Sequence, residues 1–280
     1  FIITLGGSTT DGFYNHISNG FTWPYYLHQR TSNDYKIGVI NGGVGAYNSN
    51  HELLKLILDI RKMNFEKKVI ISLNGINEFP FNSNNNYDTW KIKNFPFMDS
   101  KVLKMFNDEA WLIQNQNFVI LPSTISLLNY FKGDHSIQEN FRTSLKIASI
   151  SSSLKKYDYA DIWYDNVKLM HSISKTMNSK YLVFLQPTMG LNNISDKAPV
   201  DTNDFKLINS MEKDYIRKLN TFYDKAKVYC KSLNFCFDIS STVKPTGNVY
   251  NDPRHHNEFG NKLLSDAIFK ILKKNNYFYN

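Results

Sequence analysis

At 280 residues, with 42% hydrophobic, 15% aromatic and 21% charged side chains, the chain can bury a core and is not a disordered polymer. Its apolar runs, such as Tyr181 to Leu185, fall far short of the roughly 20 residues that a membrane-spanning helix needs. The net charge of +8 raises nucleic-acid binding, but the densest basic clusters are only Lys67-Lys68 and Lys273-Lys274, so a solvated lysine surface is expected and no nucleic-acid partner.

In chain order, Phe1–Leu5, Lys36–Asn41, Val69–Leu73, Tyr181–Leu185 and Phe235–Ile239 read as strands. Each is almost continuously apolar, as parallel strands covered on both faces are. Helical periodicity lies between them, at His51–Met63, Asp161–Met177, Phe205–Leu233 and Gly260–Lys273. Trp23-Pro24-Tyr25-Tyr26 starts the first helix, and its aromatics are read as core ahead of a substrate wall. The β-α-β-α alternation predicts one α/β domain over residues 1–280, an open parallel sheet with helices on both faces.

The third and fourth strands are far apart. Between them, residues 79–160 read as an insertion over the ligand crevice at the carboxyl ends of the strands. It carries the Asn-rich stretch Asn82 to Asn86, Trp90, Phe97, Trp111, a strand candidate at Phe118–Leu121 and helical pattern from Ser136 to Lys156. A structural appendage is the alternative reading. Cys230 and Cys236, six apart, cannot make a disulfide framework and are expected as buried free thiols. The chain starts at Phe1 without Met, so missing upstream residues are expected, and a signal or anchor would lie there. Any membrane association would run through that segment, and an extracytoplasmic setting is favoured over a cytoplasmic one.

Four loops carry chemistry. Gly6-Gly7-Ser8-Thr9-Thr10 follows the first strand, where a serine on a tight glycine-flanked turn projects its hydroxyl at the carboxyl edge of the sheet. The same residues also suit a helix cap. A phosphate loop is disfavoured, because GxxxxGK[ST] is absent and no lysine follows until Lys36. Asn41-Gly42-Gly43-Val44-Gly45-Ala46 follows the second strand and permits close backbone approach or merely a turn. Asn74-Gly75-Ile76-Asn77-Glu78 follows the third and can present an amide donor. Asn251-Asp252-Pro253-Arg254-His255-His256 precedes the last helix; its Asp and His, three apart, suit an orienter and a general base, or a turn with surface histidines. In an open parallel sheet these loops converge on one crevice.

That order of serine, glycine, asparagine and Asp-x-x-His resembles the GDSL/SGNH hydrolase family, with GGSTT in the form of one branch. The resemblance implies a flavodoxin-like three-layer α/β/α fold of about five strands. It implies Ser8 as nucleophile, with Asp252 and His255 completing a triad. Gly260, five residues after His255, supports His255 over His256. The oxyanion donors implied are the Ser8 N–H, Asn77 and a second-block N–H, at Ala46 where the family has glycine, or at Gly45 by a register shift. Ala46 can serve if its φ is negative. Glu78 replaces the family's usual Asp. No metal or organic cofactor is implied, and the expected substrate is a small-molecule or glycan ester, with short O-acyl groups such as O-acetyl on carbohydrate in view. Acyl transfer, a lipase or thioesterase, and a non-catalytic glycan-binding module are the alternatives.

Overall fold

The computed structural model describes residues 1–12, 21–63, 68–79, 158–191 and 198–278. All of these fall in one compact unit formed by Phe1–Pro96 and Tyr157–Asn280. The interior of the 79–160 insertion, with Trp90, Phe97, Trp111 and the elements expected there, lies outside the described residues.

Five parallel strands form the central sheet: β1 (Ile2–Gly6), β2 (Val39–Asn41), β3 (Lys68–Asn74), β4 (Ser179–Leu185) and β5 (Cys236–Asp238), in the order β2-β1-β3-β4-β5. β1 pairs with both β2 and β3, so the chain reverses its direction of travel across the sheet after β2. Right-handed crossovers then require the helices before and after β2 to lie on opposite faces. They do: α2 (Trp23–Tyr35) packs with the last helix, α7 (Glu258–Lys274), and α3 (Ser49–Leu58) packs with α4 (Tyr159–Thr176). α6 (Lys213–Lys231) joins α4 on that second face.

Ile2, Ile3, Leu5, Ile70, Ile71, Leu73 and Leu182 through Leu185 are all buried, which accounts for the near-continuous apolar runs of β1, β3 and β4. Trp23 is buried as expected, but Tyr25 is exposed and the half-buried Tyr26 donates its hydroxyl to Glu258 Oε1 at 2.9 Å.

Two expectations need correction. The helical pattern from Phe205 to Leu233 is two helices, α5 (Asn203–Asn209) and α6, with Glu212 as the N-cap of the second. Neither glycine nor proline marks the break, so periodicity alone ran through it. Cys230 and Cys236 form a disulfide and are not free thiols. The short turn from the end of α6 into β5 brings their Cα atoms to 5.1 Å, inside the span that a bridge requires. No described helix is long and apolar enough to cross a membrane.

Candidate active site

β1 and β3 are neighbours at the point where the strand order reverses, and ligands of open α/β sheets bind outside the carboxyl ends of such strands. Ser8 follows β1 there, as the first residue of the single-turn helix α1 (Ser8–Asp11), with Gly7 as its N-cap. Asn77 follows β3 on the tight turn Gly75–Glu78, closed by Glu78 N–H donating to the Gly75 carbonyl at 3.3 Å. The third contributor is an antiparallel hairpin that no periodicity announced: β6 (Tyr250–Asp252) and β7 (His255–His256).

The hairpin brings His255 onto Ser8. Ser8 Oγ lies 2.6 Å from His255 Nε2, and His255 Nδ1 lies 2.6 Å from Asp252 Oδ2. With Nδ1 protonated toward the carboxylate, Nε2 is left to accept from the serine hydroxyl. Asp252 Oδ1 accepts from the backbone N–H groups of Arg254 at 2.8 Å and His255 at 3.1 Å, so the turn that separates the acid from the histidine also aims the acid. Partial burial pushes the Asp252 carboxyl up. The hydrogen bond and charge of His255, with the two backbone donors, outweigh it and hold the group below the ordinary carboxylate value.

Two supports hold this hairpin. The Pro253 carbonyl accepts from Thr188 Oγ1 at 3.1 Å and from Met189 N–H at 3.2 Å, in the loop after β4. Asp204 on α5 is fully buried and accepts from the backbone N–H of Gly247 at 3.0 Å, Val249 at 3.2 Å and Tyr250 at 3.2 Å. No motif marks Asp204, and the sequence reading passed over it.

The amide of Asn77 sits against Gly7. One of its two Nδ2 protons goes to the Tyr47 carbonyl at 2.9 Å, which fixes the amide's orientation and leaves the second proton for a ligand. Gly45 and Ala46 are the central residues of a turn closed by Tyr47 N–H donating to the Val44 carbonyl at 3.1 Å. Ala46 has φ +65°, so the condition set for it, a negative φ, is not met. Among the described residues neither Gly45 N–H nor Ala46 N–H donates to a backbone carbonyl, and nor does the N–H of Ser8. His256 points away into the interior, fully buried, its ring 4.6 Å from that of Tyr250.

Beside the Asp252 end of this array lies a cavity of about 410 Å³, lined by Ser210, Met211, Glu212, Tyr215, Asp252, Pro253, Arg254 and His255. Arg254 stacks over the Tyr215 ring at 5.3 Å, giving that wall a planar, charged surface. Together the groups can deprotonate a serine, offer hydrogen-bond donors beside it and admit a ligand of a few rings.

No family model matches the chain, and no curated protein is significantly similar to it. Solved structures do match. A member of the lipolytic G-D-S-L family from Veillonella parvula is 11% identical with a TM-score of 0.49, the alignment covering 97% of each chain. A catalytic mutant of an acetylxylan esterase from Geobacillus stearothermophilus is 11% identical with a TM-score of 0.47, over 96% of this chain and 92% of that one. A structure described as a GDSL-like lipase from Parabacteroides merdae is 11% identical and reaches a TM-score of 0.50, over 96% of this chain and 93% of that one. The chain has the GDSL hydrolase fold. Within the GDSL hydrolase fold, Ser8, Asn77 and the Asp252–His255 hairpin share the carboxyl end of the sheet, and the long segment between β3 and β4 is an insertion.

Proposed function

We propose that the protein is a GDSL-type serine esterase, hydrolysing carboxyl esters through an acyl-enzyme on Ser8. The observation that carries this is the unbroken relay from Ser8 Oγ to His255 Nε2 and from His255 Nδ1 to Asp252 Oδ2, both links 2.6 Å, at the topological switch point. As Oγ attacks the ester carbonyl carbon, its proton passes to Nε2. The carbonyl π pair moves onto oxygen, and that oxyanion is met by the N–H of Ser8, the free N–H of Asn77 and the N–H of Gly45, the alternative that the positive φ of Ala46 leaves. Collapse of the tetrahedral adduct breaks the ester C–O bond, and His255 gives its proton to the leaving alkoxide. Water then repeats the cycle on the acyl group and restores Ser8. Asp252 stays ionised throughout and stabilises the imidazolium that forms twice per turnover.

The substrate proposed is a short-chain O-acyl ester on a polyhydroxy alcohol, with O-acetyl on carbohydrate as the leading case. The support is the adjoining cavity, whose Ser210, Glu212 and Arg254 can hydrogen-bond hydroxyl groups. Hydrolysis of p-nitrophenyl acetate is the direct test. The parent chain is expected to turn it over, and Ser8→Ala to fall to the uncatalysed background. Equal rates in the two would sink the relay assignment, and acetylated oligosaccharides assayed for released acetate then test the alcohol.

A further inference from the structure

Two acids are buried where the carboxyl end of β3 meets α3, and the relay uses neither. Glu52 is fully buried and Glu78 is 5% exposed. Glu78 is the residue after Asn77. Its Oε1 accepts from Ser49 N–H at 3.0 Å and its Oε2 from Ser49 Oγ–H at 2.7 Å. Ser49 is the first residue of α3, three positions after Ala46 and two after Tyr47, whose carbonyl holds the Asn77 amide. We infer that Glu78 is a positioning residue for the oxyanion pocket: its carboxylate grips Ser49 and locks the loop of Asn77 to the loop of Gly45 and Ala46. This rests on the esterase reading above and adds the part that keeps its donors in register.

The surrounding groups make the grip specific to a carboxylate. Asn166 on α4 donates its Nδ2 to Ser49 Oγ at 3.0 Å, which occupies that oxygen as an acceptor and leaves the hydroxyl proton for Glu78. A neutral amide at position 78 would confront Ser49's two donors with only one accepting oxygen.

Glu52, one helical turn after Ser49, makes a second tie between the same elements. Its Oε1 accepts from Asn74 Nδ2 at 2.6 Å, and Asn74 Oδ1 accepts from Trp163 Nε1 at 3.2 Å. Burial pushes Glu52 up to about 8, with the charge of Glu78 adding to it, and pushes Glu78 up to about 7. Glu78, with two donors from Ser49, releases its proton first, and Glu52 keeps one. Tyr181 from β4 and Tyr223 from α6 also face these acids, and both are held neutral by burial.

The test is a double-mutant cycle read in kcat and KM on p-nitrophenyl acetate, with Ser8→Ala as the blank. Glu78→Gln is expected to lower kcat about 10- to 100-fold while KM changes less than about threefold, since misplaced donors fail the transition state and not the ground state. In an Asn77→Ala background the same substitution is expected to cost less than about fivefold, because much of what Glu78 aligns is already gone. Ser49→Ala, which removes one of the two donors, is expected to give an intermediate loss, and it carries the cycle if Glu78→Gln does not fold. A parental kcat in Glu78→Gln, or the same fold loss in both backgrounds, overturns the inference while leaving a Ser8-dependent esterase intact. Absence of any Ser8-dependent turnover in the parent overturns the esterase reading and this inference with it.

Discussion

A methyl group on Gly7 would overlap Asn77 Nδ2 and come within 3.0 Å of the Tyr47 carbonyl. The glycine before Ser8 is therefore room for an amide that arrives from 70 residues away. Gly7→Ala is expected to push Asn77 out of line and to lower kcat on the order of 10²–10³-fold, the cost of one oxyanion donor, with the circular dichroism spectrum unchanged. Parental turnover in Gly7→Ala would mean that the amide does not work from this position. At this scale the sequence was a good guide to which residues meet, because Ser8, Asn77, Asp252 and His255 each follow or form a turn whose place in the fold is set by chain order. It was a poor guide to conformation. Ala46 has the left-handed φ of +65°, which costs an L-residue about 1–2 kcal/mol and which nothing in Val-Gly-Ala-Tyr discloses. Glu78 stood out in the sequence only as a replacement for the family's usual Asp, whereas its contacts with Ser49 join the turn after β3 to the start of α3.

The elements that carry the site differ in how visible they are beforehand. β1, β3 and β4 are buried on both faces and announce themselves as apolar runs, and the structure moves their ends by only a residue or two. The β6–β7 hairpin has two short strands and a polar sequence, so no period marks it. What makes it an element is Asp204. A buried carboxylate accepting from the amides of Gly247, Val249 and Tyr250 anchors the chain as it enters β6, and hydrogen bonds to a charged group are worth about 1.5–3 kcal/mol each. Asp204→Asn turns one acceptor into a donor facing the Gly247 or Val249 N–H. It is expected to lower the unfolding free energy by about 2–3 kcal/mol in urea titration. It is also expected to lower kcat more than it raises KM, because His255 loses its aim at Ser8. Unchanged kcat with lowered stability would separate the hairpin's folding from its alignment. The Cys230–Cys236 bridge was hidden for the converse reason: six-residue spacing says nothing until the α6–β5 turn is known to be tight.

For the molecule as a whole, two ionisable groups are buried in forms that water would not choose, and they set opposite pH limits on stability. His256 is fully buried, and neither ring nitrogen has a hydrogen-bond partner among the described residues. Burial, with the charge of His255 adding to it, pushes its pKa down from 6.5 to about 3. The unfolded chain therefore takes up a proton below 6.5 that the folded chain refuses, so stability is present above 6.5 and is lost as pH falls toward 3. Glu52 runs the other way. Its pKa is raised from 4.5 to about 8, so its contribution is present below 4.5 and is lost as pH rises through 8, when the unfolded chain ionises and the folded one resists. Each group contributes a slope of up to about 1.4 kcal/mol per pH unit inside its window. His256→Phe is thus expected to gain on the parent progressively from pH 6.5 downward, whatever its stability at neutral pH, and Glu52→Gln to gain progressively from pH 4.5 upward. Urea unfolding of the three proteins across pH 4 to 8 reads both differences directly. A pH-independent gap for His256→Phe would mean that the ring is hydrated or already charged in the folded state. A pH-independent gap for Glu52→Gln would mean that α3 and β3 accommodate two carboxylates side by side, and that the division of protons between Glu52 and Glu78 is wrong.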